Sequence, residues 1–131
     1  MIKELDLSGC SRISDRGFSY LSSMSSIKKL YLSGCGFNFK NNAKNNVNNF
    51  KIPLVVPYVM VFTSMRLLKK LDLSNNSKLN DGIVKSISEQ CTLITFLSLS
   101  NCKNISPTCF FFIGDKLKFL ESKIFIFFIF F

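Results

Sequence analysis

The sequence contains no histidine. Histidine-dependent catalytic triads and the usual imidazole metal sites are therefore excluded, and no glycine-rich phosphate loop is present to suggest nucleotide chemistry. Acidic residues are few, 8 against 17 lysines and arginines, which leaves a formal net charge of +9. That balance favours an acidic partner by long-range attraction, and the same lysines would keep an otherwise apolar chain in solution. Arginine is scarce, no helix carries a basic stripe and no nucleic-acid motif occurs, so polyanion or nucleic-acid binding stands as the alternative reading. Long apolar runs are missing too. The stretch from Ile124 to Phe131 would cover only about 12 Å as a helix against about 30 Å of hydrocarbon, so a membrane partner is not expected. No amino-terminal signal is visible, since Lys3, Glu4 and Asp6 follow Met1 closely, and a cytoplasmic or nuclear location is the expectation. The 5 cysteines are an odd number without a C-x-x-C pair, which points to reduced structural thiols in place of zinc or disulfides. No cofactor, metal or enzymatic activity is expected.

What the sequence does contain is a repeat. Leu71-Asp72-Leu73-Ser74-Asn75-Asn76-Ser77-Lys78-Leu79-Asn80-Asp81 aligns without a gap on Leu5-Asp6-Leu7-Ser8-Gly9-Cys10-Ser11-Arg12-Ile13-Ser14-Asp15. Partial copies follow Leu30-Tyr31-Leu32-Ser33-Gly34-Cys35 and Leu97-Ser98-Leu99-Ser100-Asn101-Cys102. Each copy has an apolar residue three positions earlier, at Ile2, Ile27, Leu68 and Ile94. The structural positions are then Leu5, Leu7 and Cys10; Leu30, Leu32 and Cys35; Leu71, Leu73 and Asn76; and Leu97, Leu99 and Cys102. Alternation turns each leucine pair inward from a short strand, while the residues between them face outward. At the turn that follows, a small residue able to hydrogen-bond backbone is required, which accounts for the cysteines and Asn76.

The pattern L-x-x-L-x-L-x-x-C/N-x-x-I/L-x-D resembles the cysteine-containing class of leucine-rich repeats, best known from F-box proteins, the substrate receptors of cullin-type ubiquitin ligases. The stretch Ser8 to Ser22 carries the resemblance most closely. It implies an α/β solenoid with parallel strands on a concave face and short helices on a convex one, in about four repeats plus a partial fifth. No F-box stands ahead of the first repeat, so the resemblance implies a relative of those receptors, or a piece of a longer one that could join a ligase complex.

Along the chain, residues 1–122 read as the repeat domain. Phe18 and Leu21 are expected to face inward from the first outer helix, and Met24, Met65 and Cys91 to plug the return to each next strand. The Asn/Lys-rich stretch 39–54 reads as a low-complexity insertion and loop. Ile83, Val84 and Ile87 should form the inner side of the third helix. Ser106-Pro107 reads as the start of the fourth, with Phe110 to Ile113 turned inward. Leu117 to Ser122 resembles the opening of a fifth coil, and the Phe/Ile tail 123–131 reads as a makeshift cap. Both low-complexity segments use residues of AT-rich codons, so translated non-coding sequence is a further reading of them.

Candidate binding residues come from aligning the strands. The row before each inner leucine holds Glu4, Lys29, Lys70 and Phe96, extended by Phe119. One position earlier stand Lys3, Lys28, Lys69, Thr95 and Lys118. Between the leucines lie Asp6, Tyr31, Asp72 and Ser98, and a serine row follows at Ser8, Ser33, Ser74 and Ser100. Lys28, Lys29, Lys69 and Lys70 would form a compact patch beside the aromatic anchors Tyr31 and Phe96. The expected function is a protein–protein interaction module with a partner of acidic surface, related by resemblance to substrate recognition in ubiquitination. The alternative is a fragment of a longer array without independent function.

Overall fold

The computed structural model describes residues 1–36 and 56–121. Strands and helices alternate along it: β1 (Glu4–Asp6), α1 (Asp15–Ser19) continued by a 3-10 turn (Tyr20–Ser23), β2 (Lys29–Tyr31), α2 (Val56–Ser64), β3 (Lys70–Asp72), α3 (Asp81–Gln90), β4 (Phe96–Ser98) and α4 (Cys109–Lys116). The strands form one parallel sheet in the order β1-β2-β3-β4. The helices lie beside one another in the same order on the other side of the core. The insertion 39–54 and the tail 123–131 lie outside the described residues.

The strands pair in the register set by the repeat. Leu5, Leu30, Leu71 and Leu97 stand side by side, flanked by the row Glu4, Lys29, Lys70, Phe96 and the row Asp6, Tyr31, Asp72, Ser98. Pairing begins one residue earlier than the strands themselves. The Lys3 carbonyl accepts both Lys28 N–H and Lys29 N–H, that of Lys28 accepts Lys69 and Lys70, and that of Lys69 accepts Thr95 and Phe96, all at 2.7 to 3.1 Å. Two consecutive residues of a unit, such as Lys69 and Lys70, stand exposed there.

Behind the sheet, Leu30, Leu32, Leu71, Leu73, Ile83, Val84 and Ile87 are buried together with Phe18, Phe62 and Met65. Full burial of one such side chain contributes about 2 kcal/mol, so the stacked leucines hold the units together. Phe18 and Phe62 meet across α1 and α2 at 6.4 Å between ring centroids, tilted by 58°. Met65 and Cys91 are fully buried at the return to the next strand, and Met24 packs partly buried against the same core.

The turn after each strand has one geometry. Gly9, Gly34, Asn75 and Asn101 all have φ between 57° and 75°, a region open to glycine and tolerated by asparagine. Next comes the small polar residue. Cys35 donates its thiol to Leu7 O at 3.0 Å, Asn76 its amide to Leu32 O at 2.9 Å, and Cys102 its thiol to Leu73 O at 3.2 Å. Each therefore bonds the second leucine of the preceding unit. Cys10, on the first unit, is exposed.

Three expectations are corrected. First, α4 begins at Cys109, later than Pro107; the Ser106 hydroxyl donates to the Asp81 carboxylate of α3, and its Oγ accepts Thr108 N–H at 3.3 Å. Second, of Phe110 to Ile113 only Ile113 is fully turned in, while Phe111 is 77% exposed. A residue two positions on lies about 200° around the helix, so Phe111 falls opposite the face that Cys109 and Ile113 take. Third, the opening of a fifth unit lies three residues further on. Leu117 N–H bonds Ile113 O and Leu120 N–H bonds Leu117 O, as Cys91 and Ile94 do one unit earlier, and Glu121 N–H reaches Thr95 O at 3.0 Å. Lys118 and Phe119 thus occupy the turn after α4, not the sheet rows.

Candidate functional site

The strand face is built from side chains that the inward leucines force outward. Glu4, Asp6 and Lys70 are exposed, and Lys29, Tyr31, Asp72, Phe96 and Ser98 are partly exposed. Lys3, Lys28 and Lys69 stand exposed at the edge of the sheet, one per unit, with Thr95 next in the rank. The ten proposed binding residues therefore share one surface across β1 to β4.

Their electrostatics divide them. Lys29 Nζ pairs with Glu4 Oε2 at 2.9 Å, and that hydrogen bond and charge hold the ammonium pKa above its ordinary value. Within the expected patch of four lysines, Lys29 is thus the one paired with a carboxylate. Among the described residues no carboxylate lies within ion-pair distance of Lys3, Lys28, Lys69 or Lys70.

The two aspartates are turned to their own chain. Asp6 Oδ1 accepts Ser8 N–H and Asp72 Oδ1 accepts Ser74 N–H, both at 2.9 Å. The backbone bond, then the hydroxyl of Ser8, holds the Asp6 carboxyl below its usual range. Asp72 also accepts the Ser74 hydroxyl at 2.6 Å, and Ser74 is buried. The serine row is therefore no open surface at Ser74, where the hydroxyl also reaches Ser33 Oγ at 2.9 Å.

One row was missed. Asn101 donates its amide to Asn75 Oδ1, and Asn75 donates to Ser33 Oγ, each at 3.0 Å. Asn75 and Asn101 are exposed, so this ladder extends the polar face beyond the strands. The signal is present in the sequence: only glycine or asparagine stands two residues after each second leucine.

Four of the five thiols are buried. Burial pushes Cys91 up to about 12 and Cys109 up to about 11, the latter with help from the Asp81 charge. Burial also raises Cys35 and Cys102. A thiol kept protonated is a poor nucleophile and a poor metal ligand. Among the described residues no group of three or more Cys, Asp or Glu could hold a metal ion, and no helix is long and apolar enough to cross a membrane. An open face whose aspartates accept turn N–H groups and whose Glu4 is paired with Lys29 is consistent with a non-catalytic scaffold.

A family model described as Leucine Rich repeat matches residues 1–22 and 64–88. The first segment contains β1 and α1, and the second contains β3 and most of α3. No curated protein matches the chain.

Proposed function

We propose that these leucine-rich repeats form a protein-recognition module whose binding surface is the strand face. The observation that carries the reading is the in-register row Glu4, Lys29, Lys70, Phe96 beside Asp6, Tyr31, Asp72, Ser98. Parallel strands bring side chains from distant parts of the sequence into straight ranks, and Tyr31 and Phe96 give two partly exposed rings among polar neighbours. Such a mixture supports an interface, where aromatic residues carry much of the energy and charges set specificity.

In its finer form the proposal is a concave face that takes a partner with an acidic surface in the cytoplasm. The resemblance of Ser8 to Ser22 to cysteine-containing repeats supports a role beside the substrate receptors of ubiquitin ligases, as a repeat domain 1–122 interrupted at 39–54 and followed by the tail 123–131. The test is quantitative affinity capture with the wild-type chain, a Lys69→Glu/Lys70→Glu chain and a Lys103→Glu control, each checked for folding by circular dichroism. A partner retained by the control and lost by about tenfold or more from the double variant fits the proposal. A set of partners indifferent to the double variant contradicts it.

A further inference from the structure

The exposed lysines at the sheet edge have a spacing, and the spacing selects a shape of partner. Lys3, Lys28 and Lys69 belong to consecutive units and are tied by main-chain bonds, Lys28 N–H to Lys3 O at 2.7 Å and Lys69 N–H to Lys28 O at 2.8 Å. They therefore form a straight rank perpendicular to the strands, with steps of about 4.8 Å. The rank ends at Thr95, whose hydroxyl is turned back to Lys69 O at 3.2 Å. Lys70 lies beside its last lysine, with Tyr31 and Phe96 on neighbouring strands. Among the described residues no carboxylate pairs with Lys3, Lys28, Lys69 or Lys70. Lys29, the one lysine set within the first row of β2, is already neutralised by Glu4.

Resting on the strand face being the binding surface, we infer that its partner presents an acidic amphipathic helix laid across the strands. A helix places one side chain per turn on a given face, every 5.4 Å or so along its axis, close to the 4.8 Å step of the rank. Three carboxylates on successive turns then meet three lysines with a total mismatch of about 1 Å. An extended segment repeats the same face every 6.7 Å or so, and over the same two steps it drifts by nearly 4 Å. The adjoining apolar face of the helix meets Tyr31 and Phe96, which supply the anchoring contact that exposed ion pairs alone lack. The pairing is electrostatic and exposed, so it weakens with salt.

The inference is tested with the full chain and three labelled synthetic peptides of one composition, read by fluorescence anisotropy. One is a helix with glutamates on three successive turns of one face beside a leucine stripe. The second is the same helix with the glutamates scattered around it, and the third alternates glutamate and apolar residues as an extended strand. Single-stranded RNA serves as the competing polyanion. The inference expects the one-face helix to bind about tenfold more tightly than either isomer, the effect of three exposed ion pairs of ordinary strength. Lys28→Glu/Lys69→Glu should abolish that preference, while Lys103→Glu should leave it. Equal binding by the three peptides, or tighter binding of RNA through the same lysines, overturns the acidic helix. If a natural partner is lost from the Lys69→Glu/Lys70→Glu chain while the helix is not preferred, the strand face stands as the binding surface and only the helix is refuted. If charge reversal affects neither, both readings fall.

Discussion

Asn76 occupies the most demanding position in the chain. It is 1% exposed, and its amide donates to Leu32 O, Leu73 O and Ser74 O at 2.8 to 3.1 Å while its carbonyl accepts Gly36 N–H at 3.2 Å. Cysteine serves the equivalent positions with one donor each, so the role is to satisfy the carbonyl of the preceding unit inside a crowded turn. Replacing Asn76 with alanine should destabilise the chain by about 2 kcal/mol, because buried backbone groups lose their partners. Cysteine at the same position should cost distinctly less. Urea denaturation of both variants checks the order, and equal losses would mean that a thiol cannot stand in for the amide at this turn. The sequence disclosed this position through the C/N alternation. It did not disclose that Asp6 and Asp72 spend their carboxylates on the serines two residues later, because alternation says which way a side chain points and not what it bonds when it arrives.

The helices show how local pattern and stacking divide the work. Phe18 and Leu21 of the first helical segment are buried, as are Ile83, Val84 and Ile87 of α3, following a helical period that was plain in the residues. The run Phe110 to Phe112 hid that period, since three consecutive aromatics fit any face, and only the fixed places of Cys109 and Ile113 resolve it. The fifth unit was misplaced for a related reason: Leu117 and Leu120 are spaced like a repeat opening, yet Leu117 fills the plug position that Cys91 fills one unit earlier. Cys91 closes α3 with its N–H on Ile87 O and its thiol on Phe62 O at 3.5 Å, linking adjacent helices.

Its thiol titrates at about 12 when folded against an ordinary 9.0. Above pH 9 the unfolded chain has released that proton and the folded chain has kept it. Stability contributed by the neutral thiol is therefore complete below pH 9 and is lost as the pH rises towards 12. Thermal unfolding between pH 8 and 11 should show a decline that Cys91→Ala flattens, starting from a lower stability. An unchanged slope in that variant would remove Cys91 as the cause.

For the molecule as a whole, the ranks across the sheet were legible because a repeat fixes its own register: once Leu5, Leu30, Leu71 and Leu97 are aligned, every neighbour is placed. What escaped was pairing within the ranks. Nothing in the order of residues says that Glu4 takes Lys29 and that, among the described residues, no carboxylate takes Lys28, Lys69 or Lys70, since that choice depends on side chains meeting across two strands. Recognition by the strand face requires its partly exposed rings and exposed lysines to meet a protein, and the helical side not to.

Site-specific photo-crosslinking separates the two sides directly. A photoreactive phenylalanine derivative placed at Tyr31 on the strand face, or at Tyr20, which is 63% exposed beside the helices, would be activated in the presence of the captured partner. The account predicts a covalent adduct from position 31 and none from position 20. An adduct from position 20 alone would place recognition on the helices and contradict it.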